Sequence, residues 1–134
     1  MSESASELGQ VVLVTGGAKR VGKTVSLNLA GRGYRVAIHA NTSLDSAKEL
    51  VEQIENNGGE AMAIGADLTD ESAARKMIDD VAEHFGQLDV LVHCAAIWSP
   101  KPLEDAKAED VRRNFDINSV ASFICTQHAG LIMC

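Results

Sequence analysis

The residues best suited to chemistry lie in one glycine-bearing stretch near the amino terminus. The run Val11–Thr15 is apolar up to its last residue and enters the turn Gly16–Gly22, which reads Gly-Gly-Ala-Lys-Arg-Val-Gly. This order predicts a buried strand, a tight loop and the first turn of a helix. Free N–H groups and the dipole of such a helix favour a bound phosphate. A dinucleotide and a nucleoside triphosphate both fit, so the loop alone leaves two alternatives.

The triphosphate alternative is based on a complete pattern match. Gly17–Thr24 satisfies G-x-x-x-x-G-K-[ST], in which Lys23 would reach the terminal phosphates and Thr24 would hold magnesium. Such proteins also need an acid at the end of a nearby strand for the magnesium shell. The predicted strand Leu88–Ile97 carries its one acid, Asp89, at the end away from the loop. The position of this acid favours the dinucleotide.

The elements that must position the loop alternate regularly along the chain. The predicted strands are Val11–Thr15, Arg35–Ala40, Glu60–Gly65 and Leu88–Ile97. The predicted helices run from about Arg20 to Ala30, from the cap residues Asn41-Thr42-Ser43 to Asn57, from Asp67-Leu68-Thr69-Asp70 to Gly86, and from near Lys107 towards the carboxyl terminus. This alternation predicts an α/β, Rossmann-like doubly wound parallel sheet of about four strands in the order 3-2-1-4, with flanking helices.

Composition excludes several classes of protein. The 134 residues suffice for one domain, and we expect residues 1–9 to be a disordered leader and residues 10–134 to be an incomplete dinucleotide-binding domain. A net charge of -7 without a long basic run argues against a nucleic-acid partner. Three cysteines without C-x-x-C spacing argue against a metal site or a disulfide framework. We expect a cytoplasmic protein without a membrane partner, because no membrane-length apolar run or secretory signal is present.

The loop resembles a known motif. Thr15-Gly16-x-x-x-Arg20-x-Gly22 is similar to the T-G-x-x-x-G-x-G turn of the short-chain dehydrogenase/reductase family, and arginine at the middle glycine is similar to its pteridine-reductase-like members. The resemblance implies that this turn holds the pyrophosphate of a nicotinamide dinucleotide. The cofactor-binding residues that it implies in the loop are Thr15, Gly16, Lys19, Arg20, Val21 and Gly22.

Later segments continue the resemblance in order. Asp67-Leu68 follows the third predicted strand, where the family has an acid that contacts adenine. Ala95 is the one residue identical to the family's N-N-A-G motif, and the resemblance implies that the backbone of Ala95 and Ile97 lines the nicotinamide side. Asn118 stands where the family has its structural and catalytic asparagine. The ordered series covers nearly the whole chain.

The end of the second strand indicates which cofactor is bound. An acid there would bind a ribose diol and repel a 2′-phosphate. This chain has Asn41-Thr42-Ser43 instead, and Arg20 and Lys19 supply positive charge nearby. The sequence therefore favours NADP(H) over NAD(H).

Structural roles stay open as alternatives for several of these residues. In these alternatives Lys19 is a solvated loop charge and Asp67 is a helix-entry residue. His93 is a sheet histidine, and Asn118 is a buried amide that bonds the backbone. Cys125, Trp98 and Phe115 are expected to be packing residues.

The family's catalytic acid is missing from the sequence. The family uses a tyrosine, a lysine four residues later and an upstream serine, of which the lysine lowers the pKa of the tyrosine. The one tyrosine here, Tyr34, is followed four residues later by Ile38, so Asn118 is the one catalytic residue that the resemblance places in this chain. We expect the chain alone to be inactive.

These observations give one leading interpretation. The chain is the N-terminal, NADP(H)-binding portion of a short-chain oxidoreductase that, at full length, transfers hydride between NADP(H) and a carbonyl or alcohol group of a small molecule. A non-catalytic, truncated nucleotide-binding remnant is the alternative, and a phosphate-loop NTPase is a third. With its fourth strand at an open edge, the chain is also expected to form homo-oligomers or edge-strand associations.

Overall fold

The computed structural model describes residues 9–134. They form a four-stranded parallel sheet in the order β3-β2-β1-β4, as the sequence predicted. The strands are β1 (Val11–Thr15), β2 (Arg35–Ala40), β3 (Ala61–Gly65) and β4 (Val90–His93). The helices are α1 (Arg20–Gly31), α2 (Leu44–Asn56), α3 (Glu71–Phe85), α4 (Ala108–Phe115) and α5 (Ala121–Met133), with the π-helical segment Asp116–Val120 joining the last two.

The predicted leader lies outside the described residues except for its last residue. The carbonyl oxygen of Gly9 accepts a hydrogen bond from Arg35 Nε at 2.8 Å. The described chain therefore joins the sheet at the amino end of β2.

β1 lies at the centre of two apolar layers. All five of its residues are fully buried, which confirms the prediction from the apolar run. Val11 and Leu13 pack on the side of α3 and α5, whereas Val12 and Val14 pack on the side of α1 and α2. Alternate strand residues point to opposite faces, so one short strand contributes to both cores.

The ends of α3 follow sequence rules, and the start of α2 does not. The Asp70 side chain accepts a hydrogen bond from Ala73 N at 3.1 Å, and Gly86 adopts a φ of +81° beyond the last turn of α3. Ser43 precedes α2 but makes no side-chain cap bond. The expectation that Asn41–Ser43 caps this helix through its side chains is therefore wrong for the residue at the cap.

β4 is shorter than the predicted strand Leu88–Ile97, and at both of its ends side-chain bonds accompany the last backbone bonds, from Asp89 N to Val11 O at 2.9 Å and from Cys94 N to Thr15 O at 3.1 Å. Asp89 Oδ2 accepts from Val11 N at 2.8 Å before the strand, and Thr15 Oγ1 accepts from Ala95 N at 3.2 Å after it. All four residues of β4 are half-buried at the edge of the described sheet. The predicted open edge is thus present in residues 9–134.

The expectation that Trp98 and Phe115 are packing residues is wrong, since their exposed fractions are 84% and 60%. Trp98 lies in the segment after β4, and Phe115 ends α4, which buries none of its residues against the described part of the chain. Cys125, by contrast, is fully buried in the layer beneath α3, as expected. Among residues 9–134 no helix has the length and apolar character required to cross a bilayer.

Candidate dinucleotide-binding site

A four-residue link, residues 16–19, joins β1 to α1 at the carboxyl edge of the sheet. Gly16 has a φ of +60°, and a Cβ there would lie 2.9 Å from Ala95 Cα. A Cβ on Gly22 would overlap the carbonyl oxygen of Gly16 and lie 2.8 Å from its carbonyl carbon. Both glycines are therefore required by close backbone approach, which leaves a cradle where side chains would otherwise stand.

The loop is fixed from two sides by residues that the sequence analysis did not single out. His39, on β2, accepts from Gly16 N through Nδ1 at 3.0 Å, and its carbonyl oxygen accepts from Gly17 N at 3.0 Å. Ser26, on α1, donates its hydroxyl to Gly17 O at 3.0 Å. The available signal was that both are polar residues at positions of their elements that face the interior.

Arg20 takes the place of a glycine in conformation as well as in sequence. Its φ is +52°, the one left-handed value among the non-glycine residues described, and such a conformation costs an L-residue about 1 kcal/mol. A strained residue of this kind persists where the surrounding structure holds it, often at a ligand site. The strain supports the correspondence with the middle glycine of the resembled motif.

The start of α1 is open to an anion. Lys19 stands at the N-cap without a side-chain cap bond, the first turn contains no acid, and the first helical bond runs from Lys23 N to Lys19 O at 3.2 Å. The N–H groups of Arg20, Val21 and Gly22 therefore have no partner within the helix. Lys19, Arg20 and Lys23 also line one cleft of about 460 Å³ towards α2; Glu49 is the acid in the same lining, so positive charge is in excess at this corner of an acidic protein.

The phosphate-loop geometry is not formed. Because α1 begins at Arg20, the segment Val21–Thr24 is already helical, and too few loop residues precede it to wrap a triphosphate. Thr24 Oγ1 donates to Arg20 O at 3.4 Å, a contact within the helix. The local structure thus favours a dinucleotide pyrophosphate over a triphosphate.

The structure brings the loop together with the end of β2, as predicted for cofactor choice. A cleft of about 120 Å³ is lined by Gly16, Lys19, His39 and the segment Asn41–Ser43. It offers hydroxyl and amide groups beside one lysine, with no carboxylate among its lining residues. A lysine with hydroxyl and amide donors suits a phosphate monoester, whereas the acid that would bind a ribose diol is missing from this lining.

Asp67 lies in an exposed turn after β3. Its Oδ1 accepts from Thr69 N at 3.0 Å and from Thr69 Oγ1 at 2.6 Å, and these bonds hold the pKa of the carboxyl below its ordinary value. The helix-entry role belongs to Asp70 instead. Leu68 is buried in the core, so it can contact a ligand through its backbone but not through its side chain.

Thr15 holds the end of β4 from within the protein. Its side chain is fully buried, and Oγ1 accepts from Cys94 N at 3.1 Å and from Ala95 N at 3.2 Å while lying 2.9 Å from His93 Nδ1. The hydroxyl proton then points to Nδ1, which assigns the imidazole proton to Nε2. Burial lowers the pKa of His93, and Nε2 has no partner among the described residues. His93 is therefore a neutral sheet histidine, and Thr15 acts on the site through the backbone of Ala95.

Asn118 binds the backbone of the segment beyond β4. Its Oδ1 accepts from Ile97 N at 2.8 Å, and its Nδ2 donates to Ile97 O at 3.0 Å. The backbone-bonding alternative is thus correct, although the amide is exposed rather than buried. The π-helical segment that carries Asn118 inserts an extra residue per turn, a feature often found at functional sites.

One larger cleft lies between the glycine loop and the chain that leaves β4. It has a volume of about 560 Å³ and lies between the glycine loop and residues 94–99. The predicted site residues that line it are Gly16, Lys19, Arg20, Val21, Gly22 and Ile97. The arrangement can hold an extended anionic ligand across the carboxyl ends of β1 and β4, where parallel sheets of this topology bind nucleotides.

Comparison with known proteins agrees with this geometry. Residues 10–134 match the family model described as short chain dehydrogenase. The chain is 40% identical over 121 residues to a hydroxynaphthalene reductase of Aspergillus fumigatus, and 36% identical over 121 residues to a probable tetrahydroxynaphthalene reductase of Zymoseptoria tritici. Each alignment covers 90% of this chain but only 44% and 45% of the respective relative, so the chain spans about half the length of these relatives.

Solved structures show the same fold. A dehydrogenase/reductase from Sinorhizobium meliloti superposes with a TM-score of 0.93 at 33% identity, over 98% of this chain and 53% of the other. A short-chain dehydrogenase from Burkholderia cenocepacia, solved in complex with NADP, superposes with a TM-score of 0.90 at 36% identity, over 94% of this chain and 51% of the other.

Proposed function

The chain belongs to the short-chain dehydrogenase family, and from that premise we propose that it is the NADP(H)-binding portion of an oxidoreductase. In the full-length protein the reaction would be hydride transfer between NADP(H) and a carbonyl or alcohol group of a small molecule. The similarity to hydroxynaphthalene reductases favours a reductase, and the relative solved with NADP favours the phosphorylated cofactor. The observation that carries the proposal is the glycine cradle beside the uncapped, positively charged start of α1.

The glycine loop and the end of β2 would together hold the pyrophosphate and the 2′-phosphate of the cofactor. Gly16 and Gly22 leave room for the pyrophosphate over the free N–H groups of α1, and Arg20 adds a charge there. Lys19 and the segment Asn41–Ser43 would bind the 2′-phosphate, since they line one cleft that lacks a carboxylate. When bound, NADP(H) supplies the hydride or accepts it.

The remaining predicted residues would place the two rings. Asp67 would contact adenine from its ordered turn. Ala95 and Ile97 would line the nicotinamide side with their backbone groups, and Asn118 would fix that backbone through its two bonds to Ile97. These roles follow from the resemblance to the family and from the placement of each residue.

Turnover would need groups that these 134 residues do not supply. Tyr34 precedes β2 and therefore lies at the amino ends of the parallel strands, opposite the glycine loop. No Tyr-x-x-x-Lys occurs in the sequence. We therefore expect the chain alone to bind cofactor without reducing a substrate.

The test is a calorimetric titration of the purified chain with NADPH, with NADH and with ATP–magnesium. NADPH should bind saturably and more tightly than either competitor. Lys19→Ala should reduce the preference for NADPH over NADH, because it removes a charge beside the 2′-phosphate cleft. Lys48→Ala, an exposed lysine on α2, serves as the control for loss of charge. A folded sample that shows no NADPH binding would refute the proposal.

A second candidate, a non-catalytic nucleotide-binding remnant, is supported by the missing tyrosine–lysine pair. It predicts the same binding and, as the leading proposal does for this chain alone, no turnover with any carbonyl compound. NADPH oxidation that survives stringent purification and disappears in Asn118→Ala would exclude it and would also contradict the expected inactivity of the chain alone. For the phosphate-loop alternative, Lys23→Ala should abolish ATP–magnesium binding; unchanged nucleotide binding in this variant would reject that function.

A further inference from the structure

A buried histidine connects the cofactor loop to the two strands beside it. His39 is 2% exposed; its Nδ1 accepts from Gly16 N at 3.0 Å, and its Nε2 lies 2.9 Å from Ala66 O. Because a carbonyl oxygen can only accept, Nε2 must carry the proton and Nδ1 must be the acceptor. The backbone carbonyl of the same residue receives Gly17 N. His39 in this neutral tautomer therefore accepts from two backbone N–H groups of the loop, one through its side chain and one through its own carbonyl oxygen.

We infer that His39 is a positioning residue for the cofactor loop, and that protonation of its Nδ1 releases the loop and weakens dinucleotide binding. A proton on Nδ1 turns the acceptor for Gly16 N into a second donor facing the first. Two opposed donors cannot stay at hydrogen-bond distance, so Gly16 must move away. This inference rests on the proposed cofactor site, because Gly16 forms the floor of its cradle.

Burial keeps His39 neutral near pH 7. It holds the pKa of His39 below its ordinary value and outweighs the hydrogen bond to Ala66 O, which raises the pKa, while His93 on β4 lowers it further. Lys19 lines the same cleft from the loop and adds a positive charge. The loop is therefore fixed at neutral pH and is expected to be released only in mild acid.

The carboxylate that lies nearest in sequence to the acceptor of His39 is exposed to solvent. Asp67, which follows Ala66, has its Oδ1 engaged by Thr69, and it is not among the groups that shift the pKa of His39. Cys125, on α5, is a buried thiol whose pKa is raised by burial, so it stays neutral. The buried residues of α3 on this face are apolar: Ala74, Met77, Ile78, Val81 and Phe85.

The effect can be separated from titration of the cofactor itself. A phosphate monoester has a second pKa near 6, so binding of NADPH changes with pH for that reason too. NADH lacks this group. A loop effect must therefore appear with both cofactors, whereas a 2′-phosphate effect appears with NADPH alone.

The first experiment follows the backbone amide of Gly16 by ¹⁵N NMR in the ligand-free chain between pH 8 and pH 5. The amide resonance should titrate together with the His39 ring protons. In His39→Asn, which keeps an acceptor oxygen but cannot titrate, the Gly16 resonance should not move in this range. His84→Asn, at an exposed histidine of α3, should behave like the parent chain.

The second experiment measures the dissociation constants of NADPH and NADH for the same three proteins across the same range. In the parent chain both dissociation constants should rise about fivefold or more on acidification, because a buried hydrogen bond that holds the loop is lost. In His39→Asn the NADH constant should stay flat. Tighter binding at low pH, from attraction between imidazolium and phosphate, would overturn the inference, as would equal profiles in all three proteins.

The two experiments also separate this inference from the proposed function. If no cofactor binds at pH 8 but Gly16 titrates with His39, the proposed function fails while the hydrogen-bond link stands. If cofactor binds and Gly16 does not titrate, the inference fails alone. Should His39→Asn not fold, titration of the Gly16 amide in the parent chain decides the result by itself.

Discussion

Asn118 holds Ile97 by both of its backbone groups, with Oδ1 2.8 Å from Ile97 N and Nδ2 3.0 Å from Ile97 O. This pair connects the π-helical segment to the chain leaving β4. Ile97 lies in the segment that lines the larger cleft, and Asn118 holds that segment through the two bonds. A single side chain on a neighbouring helical element therefore shapes one wall of the site.

Asn118→Ala should loosen that wall. We expect the free energy of unfolding to fall by about 1 to 2 kcal/mol, since two hydrogen bonds are lost. The one tryptophan, Trp98, adjoins Ile97 and is exposed, so its fluorescence anisotropy should fall in the variant. Asn114→Ala is the matched control because it removes only a bond within α4, from Asn114 Nδ2 to Asp110 O. An equal fall in anisotropy in both variants would contradict the link.

Gly22→Ala should damage both the fold and the site. The added methyl would overlap Gly16 O, and such overpacking costs about 1 to 3 kcal/mol. Gly31→Ala, at the last residue of α1, meets no atom within 4 Å and should stabilise the protein by about 0.5 to 1 kcal/mol. Urea unfolding of the two variants and NADPH titration measure the contrast. Full NADPH affinity in Gly22→Ala would show that the close approach of α1 and the loop is not needed.

Arg20→Gly should separate stability from binding. Glycine relieves the φ of +52°, worth about 1 kcal/mol, although its flexible unfolded chain offsets part of the gain. Stability should therefore stay equal or rise slightly, while NADPH affinity falls through loss of the charge beside the pyrophosphate. Thermal unfolding and calorimetry report the two effects. A variant that binds NADPH as well as the parent chain would leave Arg20 without a role in the cofactor site.

The fold should lose stability in mild acid. Burial lowers the pKa of both His39 and His93 below their ordinary 6.5. The unfolded chain then takes up protons first, so stability is complete above about pH 6.5 and falls as the pH drops towards the folded pKa values. Urea unfolding at pH 7.5 and 5.5 should show this difference, and His93→Asn should reduce it. The exposed His84→Asn should keep the full pH dependence.

The exposed apolar side of the last helices should drive association of the purified chain. Phe115 and Phe123 are 60% and 61% exposed. The side of β4 that faces away from β1 has no strand beside it among the described residues, so it is an open sheet edge. Replacing both phenylalanines with serine should reduce concentration-dependent association in sedimentation, with less than about 0.5 kcal/mol lost in stability. Lys48→Ser, on the other face of the sheet, should change neither. A parent chain that stays monomeric at all concentrations would contradict the expectation.

The sequence predicted the strands, the helices and their order well because these depend on local patterns. The apolar run of β1 indicates burial on both faces, and the glycines after β1 and α3 mark turns. It failed at the ends of β4, where the side chains of Asp89 and Thr15 accept from backbone N–H groups beside the last backbone bonds of the pair. Trp98 was also misjudged, since burial of a loop residue depends on which element covers it.

The sequence by itself determined a parallel α/β sheet, a glycine loop between β1 and α1, and the absence of a tyrosine–lysine pair within these residues. Only the tertiary structure decided how the site closes. Gly16 meets His39 23 positions away, Ile97 meets Asn118 21 positions away, and Thr15 meets Cys94 79 positions away. No periodicity within a helix turn or a strand encodes such pairs. The pairs of Thr15 and His39 arise because parallel strands bring their carboxyl ends to one edge, where these buried polar side chains must find partners once water is excluded. Asn118, which is exposed, reaches its partner Ile97 from the π-helical segment.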